Sequence, residues 1–391
     1  MRIVDIASRA IERTISSKET FCKLLSPNDS GETGGHQSGF LISTSAKNML
    51  FSKKELESHI AKRSIKVKWQ DDFVTDGCLT WYESKGELRL TRFTRGFPFM
   101  GDEYTGALFV FIKNTDEDFE GYILNSEDDI NTYLDAFGLS PADTNKMVDL
   151  DNTSVTAREK ATIHSFIETL DVDFPSSEAM SLVAREITSA VLLNKYTAAS
   201  NPDRLLLDWT DEEYKLFRAI EHARYGKRIA KGFDTVDDFV SLANQVLNRR
   251  KSRAGKSLEH HLSAIFDENH ISYTAQAITE GNKKPDFIFP SNDAYHDLSF
   301  PVDRITSLAA KTTCKDRWRQ ILNEANRLRD KNKFLCTLQQ GISCAQMNEM
   351  DAERVILVVP KAYIPTYPKE KQSKIWTILK FVSYLKEKEM T

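Results

Sequence analysis

The chain has 391 residues, of which 28% are charged and 40% hydrophobic, and its formal net charge is −4. This length favours two domains over one, and the composition excludes a disordered or collagen-like chain. No apolar run has membrane-spanning length, and the five cysteines form no CxxC pair, so we expect a cytoplasmic protein without a signal peptide or zinc site. Because the chain is mildly acidic, nucleic-acid binding would require local basic patches.

The first predicted element is a helix over residues 2–16, where apolar side chains repeat at helical spacing. A loop rich in Gly, Ser, Asn and Asp follows over residues 26–39 and contains His36. Such a loop is usually a turn. For His36 by itself, a capping or packing role is the more frequent case. Its glycines would also let backbone amides approach a phosphate closely.

Short strand patterns follow one another over residues 39–125 and predict a β-rich barrel or sandwich. Residues 65–69 alternate apolar and basic side chains, as a half-buried strand does. Basic side chains cluster around one predicted hairpin, at Arg89, Arg92 and Arg95. This cluster has two interpretations. It is either an ordinary solvent-exposed face or a surface that binds DNA phosphates.

An acidic segment with a proline, residues 171–177, is the strongest boundary signal in the chain. We therefore expect an N-terminal domain over residues 1–170, a linker over 171–177 and a C-terminal domain over 178–391. Apolar spacing predicts several helices after the linker, and a further helix that Ser257 would cap carries Glu259. The basic run just before Ser257 is expected to be a solvated face or a surface that holds a DNA backbone.

Three charged side chains in the C-terminal half suit phosphodiester hydrolysis. Asp286 precedes a buried-strand pattern, Lys311 ends a second apolar run, and Glu324 lies within residues 317–329, where helical spacing predicts a helix. Alternating helices and strands predict an α/β sheet here. Two carboxylates suit Mg²⁺, and the lysine can orient an attacking water and contact the phosphate. As an isolated motif this trio is weak, because such charge patterns recur freely.

Pro285-Asp286, Lys311 and Glu324 together resemble the core of the PD-(D/E)xK nucleases. Ala309 stands where that core usually has an acid, and Glu324 further along the chain takes over the second carboxylate. This variant resembles the restriction endonucleases that cut sites containing CCGG, CCNGG or CCWGG. Residues 311–320 and 26–39 tighten the match, so that nearly the whole chain is similar to the EcoRII-like, type IIE restriction endonucleases.

This resemblance implies an N-terminal β pseudobarrel that binds effector DNA and a C-terminal α/β endonuclease domain that cleaves double-stranded DNA with Mg²⁺. It implies metal binding by Asp286 and Glu324, and a catalytic role for Lys311. It also implies a contribution to the metal site from Glu259, whose alternative is an exposed helical side chain. Tyr295, close after the first core strand, either reaches the active site or is packing.

The resemblance further assigns Lys315, Asp316 and Arg317 to base reading. A carboxylate can accept a hydrogen bond from cytosine N4, and an arginine can pair with guanine O6 and N7. The alternative is an ordinary charged first turn of a helix. In the N-terminal domain, Lys23 and His36 match positions of the family's DNA-binding surface.

Control and assembly follow from the same resemblance. The N-terminal domain is expected to block the catalytic domain until it binds a second copy of the site. Cutting both strands requires two active sites, so a homodimer is expected. Two other function classes remain open at this stage, namely a non-cleaving DNA-binding regulator of the same architecture and a repair nuclease with relaxed sequence choice.

Overall fold

The computed structural model describes residues 5–17, 19–32, 39–148, 157–192 and 196–390. It confirms the predicted architecture, a β-rich N-terminal part followed by an α/β C-terminal part. Among the described helices, none combines the length and the apolar character that a membrane crossing requires.

The N-terminal part is built on an eight-stranded sheet with the order β2-β5-β4-β3-β7-β6-β1-β8. Its β3–β7 pair is parallel, and its other neighbouring strands are antiparallel. The strands are β1 (Thr20–Leu24), β2 (Gly39–Ile42), β3 (Ile60–Trp69), β4 (Val74–Tyr82), β5 (Glu87–Thr91), β6 (Leu108–Lys113), β7 (Asp118–Leu124) and β8 (Lys146–Met147).

This sheet curls around one aromatic core. Phe40 on β2 and Phe109 on β6 stand five places apart in the strand order, yet their ring centroids are only 4.7 Å apart. Phe93 and Trp69 fill the space between them, and all four side chains are buried. A sheet whose distant strands share a core is the pseudobarrel that the family resemblance implied.

Twelve α-helices accompany the two sheets in the described part of the chain. They are α1 (Ile6–Ser16), α2 (Pro27–Ser30), α3 (Lys47–Leu50), α4 (Lys53–Leu56), α5 (Glu127–Phe137), α6 (Ala157–Thr169), α7 (Ser177–Leu192), α8 (Pro202–Lys231), α9 (Val236–Glu268), α10 (Asn292–His296), α11 (Cys344–Ala352) and α12 (Ile378–Met390). The predicted helix start at Ser257 is wrong, because α9 runs unbroken through the basic run and past Glu259.

The C-terminal part contains a mixed five-stranded sheet with the order β13-β12-β11-β10-β9. Helices α9 and α12 pack on one face of it, and α11 packs on the other. The strands are β9 (Thr274–Ala275), β10 (Phe287–Phe289), β11 (Thr306–Lys311), β12 (Lys333–Thr337) and β13 (Val355–Val358). Strands β10 and β11 are antiparallel, which brings the start of β10 beside the end of β11.

Residues 170–176 form an irregular turn between α6 and α7. Ile163 of α6 shares a buried cluster with Met180 of α7 and Leu216 of α8. The segment predicted as a linker therefore joins two helices that pack on the same core.

The helix predicted over residues 317–329 is wrong in type. Two 3₁₀ segments occupy the region, Arg317–Asn323 and Asn326–Leu328. Trp318 and Ile321 are both buried against the second sheet. Their spacing of three residues matches the three-residue turn of a 3₁₀ helix, so burying both side chains favours the tighter helix.

Candidate functional site

Asp286 and Lys311 meet where β10 begins and β11 ends. Asp286 Oδ2 accepts hydrogen bonds from the Ala310 backbone N–H at 2.7 Å and from Lys311 Nζ at 3.1 Å. The Asp286 side chain is 8% exposed, whereas that of Lys311 is 30% exposed. The pair therefore combines a fixed carboxylate with an ammonium that solvent and ligands can reach.

Glu324 follows the first 3₁₀ segment and lies beside this pair. The pKa of Glu324 is raised to about 7, mainly by burial, which outweighs the lowering effect of Lys311 and Lys283 and adds to the raising effect of the Asp286 charge. The backbone is held in place because Thr279 Oγ1 donates to the Glu324 carbonyl and Lys283 Nζ donates to the Asn323 carbonyl at 2.6 Å. Two carboxylates thus share one poorly solvated site, with the Lys311 ammonium bonded to one of them.

Gln276 bridges the carboxylates of Asp286 and Glu259 and was not among the residues predicted from the sequence. Its Nε2 donates to Asp286 Oδ1 at 3.0 Å and to Glu259 Oε2 at 2.9 Å. Its backbone has a positive φ of 51°, an uncommon conformation for a residue other than glycine. Only contact information could have singled it out, because an isolated glutamine carries no motif.

Glu259 reaches the site through this amide. It also forms an ion pair with Lys256 on the same helix at 3.1 Å. Glu259 is therefore not an exposed helical side chain, because it is partly buried and lines the cleft. Its contribution to a metal site stays a prediction.

Tyr295 is buried packing in this structure. It is 1% exposed, and its hydroxyl donates to Glu280 Oε2 at 2.6 Å and accepts from the Arg327 backbone N–H at 3.2 Å. Burial, and next the Glu280 carboxylate, raise the pKa of Tyr295. Of the two readings left open by the sequence, the structure favours packing.

The site opens into a cavity of about 600 Å³, whose opposite wall is helix α5 of the N-terminal part. Asp128 and Asp135 of α5 line it on one side, and Lys251, Lys311 and Arg317 line it on the other. Acidic side chains therefore stand across the cleft from basic ones, where a nucleic-acid backbone would need to enter.

Glu127, the first residue of α5, is hydrogen-bonded to the segment assigned to base reading. Its carboxylate accepts from the backbone N–H groups of Asp316 at 2.6 Å and Arg317 at 2.9 Å, and from Thr313 Oγ1 at 2.9 Å. In return, Asp316 Oδ2 accepts from the Glu127 backbone N–H at 3.0 Å. Arg317 Nη2 also pairs with Asp128 at 2.6 Å. We call this set of contacts the latch.

Lys315 is also engaged by the N-terminal part. Its Nζ donates to the Glu103 carbonyl at 3.1 Å and to Asn125 Oδ1, and the residue is only 5% exposed. Burial lowers the pKa of Lys315 to about 8, against the opposing charges of Asp316, Glu103 and Glu127. All three residues assigned to base reading are therefore occupied by the other part of the same chain.

The far end of α5 is held by α9. Arg253 Nη2 donates to the Gly138 carbonyl at 2.7 Å, and Arg250 Nη1 donates to the Ala136 carbonyl. Cations at a helix C-terminus are favourable because the unpaired carbonyls there carry partial negative charge. Two arginines of the basic run expected to be a solvated face or DNA-backbone surface thus bind α5 instead.

The residues predicted for the N-terminal DNA surface differ in their exposure. Lys23 is 7% exposed and donates to Asp29 and to the Leu41 carbonyl, both at 2.7 Å, so it forms a buried ion pair here and its role in DNA binding stays a prediction. Arg92 and Arg95 are exposed, and Arg89 is partly buried with Glu87 at 3.2 Å. His36 lies outside the described residues.

The donor set fits a hard divalent cation with few protein ligands. Asp286 and Glu324 both offer oxygen atoms, and the raised pKa of Glu324 shows that a second negative charge there lacks full compensation. Within the described ranges no three His, Cys, Asp or Glu side chains converge as a metal cluster. Mg²⁺ suits such a site, since it commonly uses one or two carboxylates and keeps several waters.

Comparison with known proteins gives matches to both parts of the chain. The family model described as EcoRII C terminal matches residues 217–382, and that described as restriction endonuclease EcoRII, N-terminal, matches residues 14–137. The type II restriction enzyme EcoRII of Escherichia coli is 37% identical over an alignment of 391 positions, which covers 93% of this chain and 93% of that protein.

Two solved structures are also similar to the chain. Metal-depleted Ecl18kI in complex with uncleaved, modified DNA is 18% identical with a TM-score of 0.46, covering 59% of this chain and 84% of that one. The UbaLAI restriction endonuclease B3 domain with cognate DNA is 24% identical with a TM-score of 0.21, covering 30% and 77% respectively.

The substitution Glu324→Gln should stabilise the metal-free protein at pH 8 but not at pH 5. The raised pKa means that folding favours the protonated carboxyl, so this contribution is complete below about pH 4.5 and is lost as pH rises through about 7. Thermal melts should show Tm higher by about 1 °C at pH 8, the shift expected for about 1 kcal/mol in a chain of this length. Glu353→Gln, at an exposed position, is the control. An equal shift at both pH values would contradict the burial argument.

The substitution Gln276→Ala should lower the affinity for a divalent cation by roughly 10–100-fold, as loss of an outer hydrogen-bond partner typically does. The amide orients Asp286 Oδ1, and without it the carboxylate loses a fixed direction. Calorimetric titration with Ca²⁺ measures this without any cleavage. Gln245→Ala, on the exposed part of α9, should bind as the wild type does.

Proposed function

The chain belongs to the EcoRII family of type II restriction endonucleases, and from this premise we propose that it cleaves both strands of DNA at a CCWGG-like or CCNGG-like site with Mg²⁺. The observation that carries the proposal is the junction of Asp286 and Lys311 at neighbouring strand ends, with Glu324 beside them. We propose that this activity is cytoplasmic. We also propose that the domain boundary lies within residues 171–177, although α6, before that boundary, packs with α7 and α8, which follow it.

In the proposed reaction Asp286 and Glu324 hold the cation. When bound, Mg²⁺ neutralises charge that grows on the phosphate and makes hydroxide accessible near neutral pH. Lys311 Nζ faces both Asp286 and the cleft, where it orients the attacking water and donates to a phosphate oxygen. Lys315, Asp316 and Arg317 read the C·G pairs once they are free of α5.

We also propose that the latch makes the N-terminal part an autoinhibitor. The Glu127 backbone N–H donates to the Asp316 carboxylate and the Asp128 carboxylate pairs with the Arg317 guanidinium, so both groups that would contact bases are occupied, and α5 forms the opposite wall of the cleft. DNA binding at the exposed Arg92 and Arg95 would act as effector if it favours the open arrangement over the closed one. The chemistry of the latch supports this, because charge-assisted hydrogen bonds in a confined site are stronger than neutral ones.

Weakening the latch should activate the full-length enzyme on DNA that carries one site. The double substitution Glu127→Gln and Asp128→Asn removes the negative charges while keeping the side-chain shapes. Loss of the hydrogen bonds to the buried Glu127 carboxylate, each about 1.5–3 kcal/mol, should raise single-site cleavage by roughly 10-fold or more and reduce stimulation by added effector DNA. The solvent-exposed pair of Asp128 with Arg317 adds less, about 0–1 kcal/mol. The measurement is the initial cleavage rate with and without a second oligonucleotide duplex.

Asp129→Asn provides the matched control for that experiment. Asp129 lies on the same helix, but its carboxylate accepts from Ser126 and not from the base-reading segment. It should leave the single-site rate unchanged. If the latch variant is no faster than this control, autoinhibition through α5 is refuted.

The proposed activity itself is tested by digesting a plasmid that carries several CCWGG and CCNGG sites, with Mg²⁺ or with EDTA, and sequencing the ends. We expect discrete cuts at one repeated sequence, only with Mg²⁺. A band shift without cutting would support the non-cleaving regulator, and cuts without a common sequence would support a repair nuclease.

A further inference from the structure

Helix α11 binds the base-reading segment, residues 315–317, from within the C-terminal part. Gln346 Nε2 on this helix donates to the Lys315 carbonyl at 2.8 Å. Glu349, one turn further along α11, pairs with Arg319 just beyond the segment. The segment is therefore attached to α11 as well as to the latch.

Packing beneath these polar contacts joins the same two elements. Met347 and Met350 of α11 are buried in one apolar cluster with Trp318 and Ile321 of the 3₁₀ segment that follows the base-reading residues. Close-packed side chains transmit displacement because they leave little free space. A shift of α11 would therefore move the base-reading segment with it.

The Gln346 amide is better explained by positioning than by packing. Its Oε1 is buried without a hydrogen-bond partner in the described structure, an unfavourable arrangement that an apolar side chain would avoid. Its Nε2 contacts a backbone carbonyl, which can only accept. This bond does not depend on where the Lys315 side chain points, so it stays available when α5 leaves the cleft.

The start of α11 is bonded to the N-terminal part. Glu32 Oε1 accepts from the Cys344 backbone N–H at 2.7 Å, and its Oε2 accepts from Thr105 Oγ1 at 2.9 Å. The Cys344 N–H has no partner within its own helix, and a carboxylate is favoured at such a helix start. Glu32 belongs to the loop of residues 26–39, which the family resemblance places at the DNA-binding surface.

The loop that leads into α11 also contacts the N-terminal part through its backbone. A Cβ atom on Gly106 would lie 2.6 Å from the Gly341 carbonyl oxygen, so the two chains can approach only as glycine permits. Gln339 Nε2 donates to the Gly106 carbonyl at 3.3 Å. Glu32 therefore bonds to a helix whose preceding loop is already in contact with the same part.

We propose that Gln346 is a positioning residue for base reading and that Glu32 controls it through α11. DNA bound at residues 26–39 would draw Glu32 away from Cys344, and the resulting shift of α11 would change the placement of the Lys315 carbonyl. This inference rests on the proposed function and concerns its regulation. The latch occupies the base-reading groups, whereas α11 sets their position.

The first test is amide hydrogen exchange of the free full-length protein, without DNA or metal. Glu32→Ala should raise exchange by roughly 10-fold both in residues 344–348 and in residues 313–319, because one charge-assisted bond that holds α11 is lost. Glu117→Ala, at an exposed position of the N-terminal part, should change neither range. A rise confined to residues 344–348 would overturn the proposed connection.

A double-mutant cycle separates this connection from a general loosening of the two parts. Gln346→Met removes the donor while keeping an unbranched side chain of similar length. In the Gln346→Met background, Glu32→Ala should no longer add to exchange in residues 313–319. Additive effects of the two substitutions would overturn the proposal, because they would show that Glu32 acts on the segment without Gln346.

Cleavage fidelity tests the role of Gln346 directly. The ratio of kcat/KM at the cognate site to kcat/KM at a site with one C·G pair replaced should fall by roughly 10-fold in Gln346→Met. Asn348→Met, at an exposed position of the same helix, should keep the wild-type ratio. A lower Tm with an unchanged ratio would show a merely structural role. An inactive wild type with coupled exchange would refute the nuclease function and leave the connection through α11 intact.

Discussion

The contact that joins the N-terminal part to the predicted base-reading segment is the exchange of hydrogen bonds between Glu127 and residues 313–317. Each partner satisfies backbone N–H groups of the other, at the start of α5 and at the start of a 3₁₀ segment. Backbone donors at such positions have no partner within their own helix, so a carboxylate from elsewhere is strongly favoured there. The N-terminal and C-terminal parts are thus joined through backbone N–H groups and carboxylates that would otherwise bind water or a ligand.

The sequence was informative where chemistry and periodicity agree. Asp286 before β10 and Lys311 at the end of β11 followed from short apolar runs that a buried strand requires, and their proximity followed from strand pairing. The alternating residues 65–69 likewise lie in β3 as predicted. In these cases the local pattern of apolar and polar residues is compatible with one low-energy structure, a buried or half-buried strand.

The failures have a common cause, which is tertiary contact. A lysine such as Lys23 is usually exposed, but here its ammonium is buried in the pseudobarrel, where it donates to Asp29 and to the Leu41 carbonyl. Gln276 matters because of two carboxylates, 17 residues and 10 residues away, that only the fold brings to it. The helical pattern over 317–329 was overridden by the burial of Trp318. Pattern reasoning contains none of these contacts, since they join residues that are distant in the chain or depend on packing.

The latch also constrains how such a protein could evolve. Asp316 and Arg317 are assigned to reading bases, and in the closed structure the same two residues bind Glu127 and Asp128. A substitution at Asp316 or Arg317 that suits a new DNA sequence would therefore also weaken the contacts with α5. The altered specificity would then arise together with weaker autoinhibition. Drift toward a new target would require a matching change at residues 127–128, so host safety and target choice would be inherited as one trait.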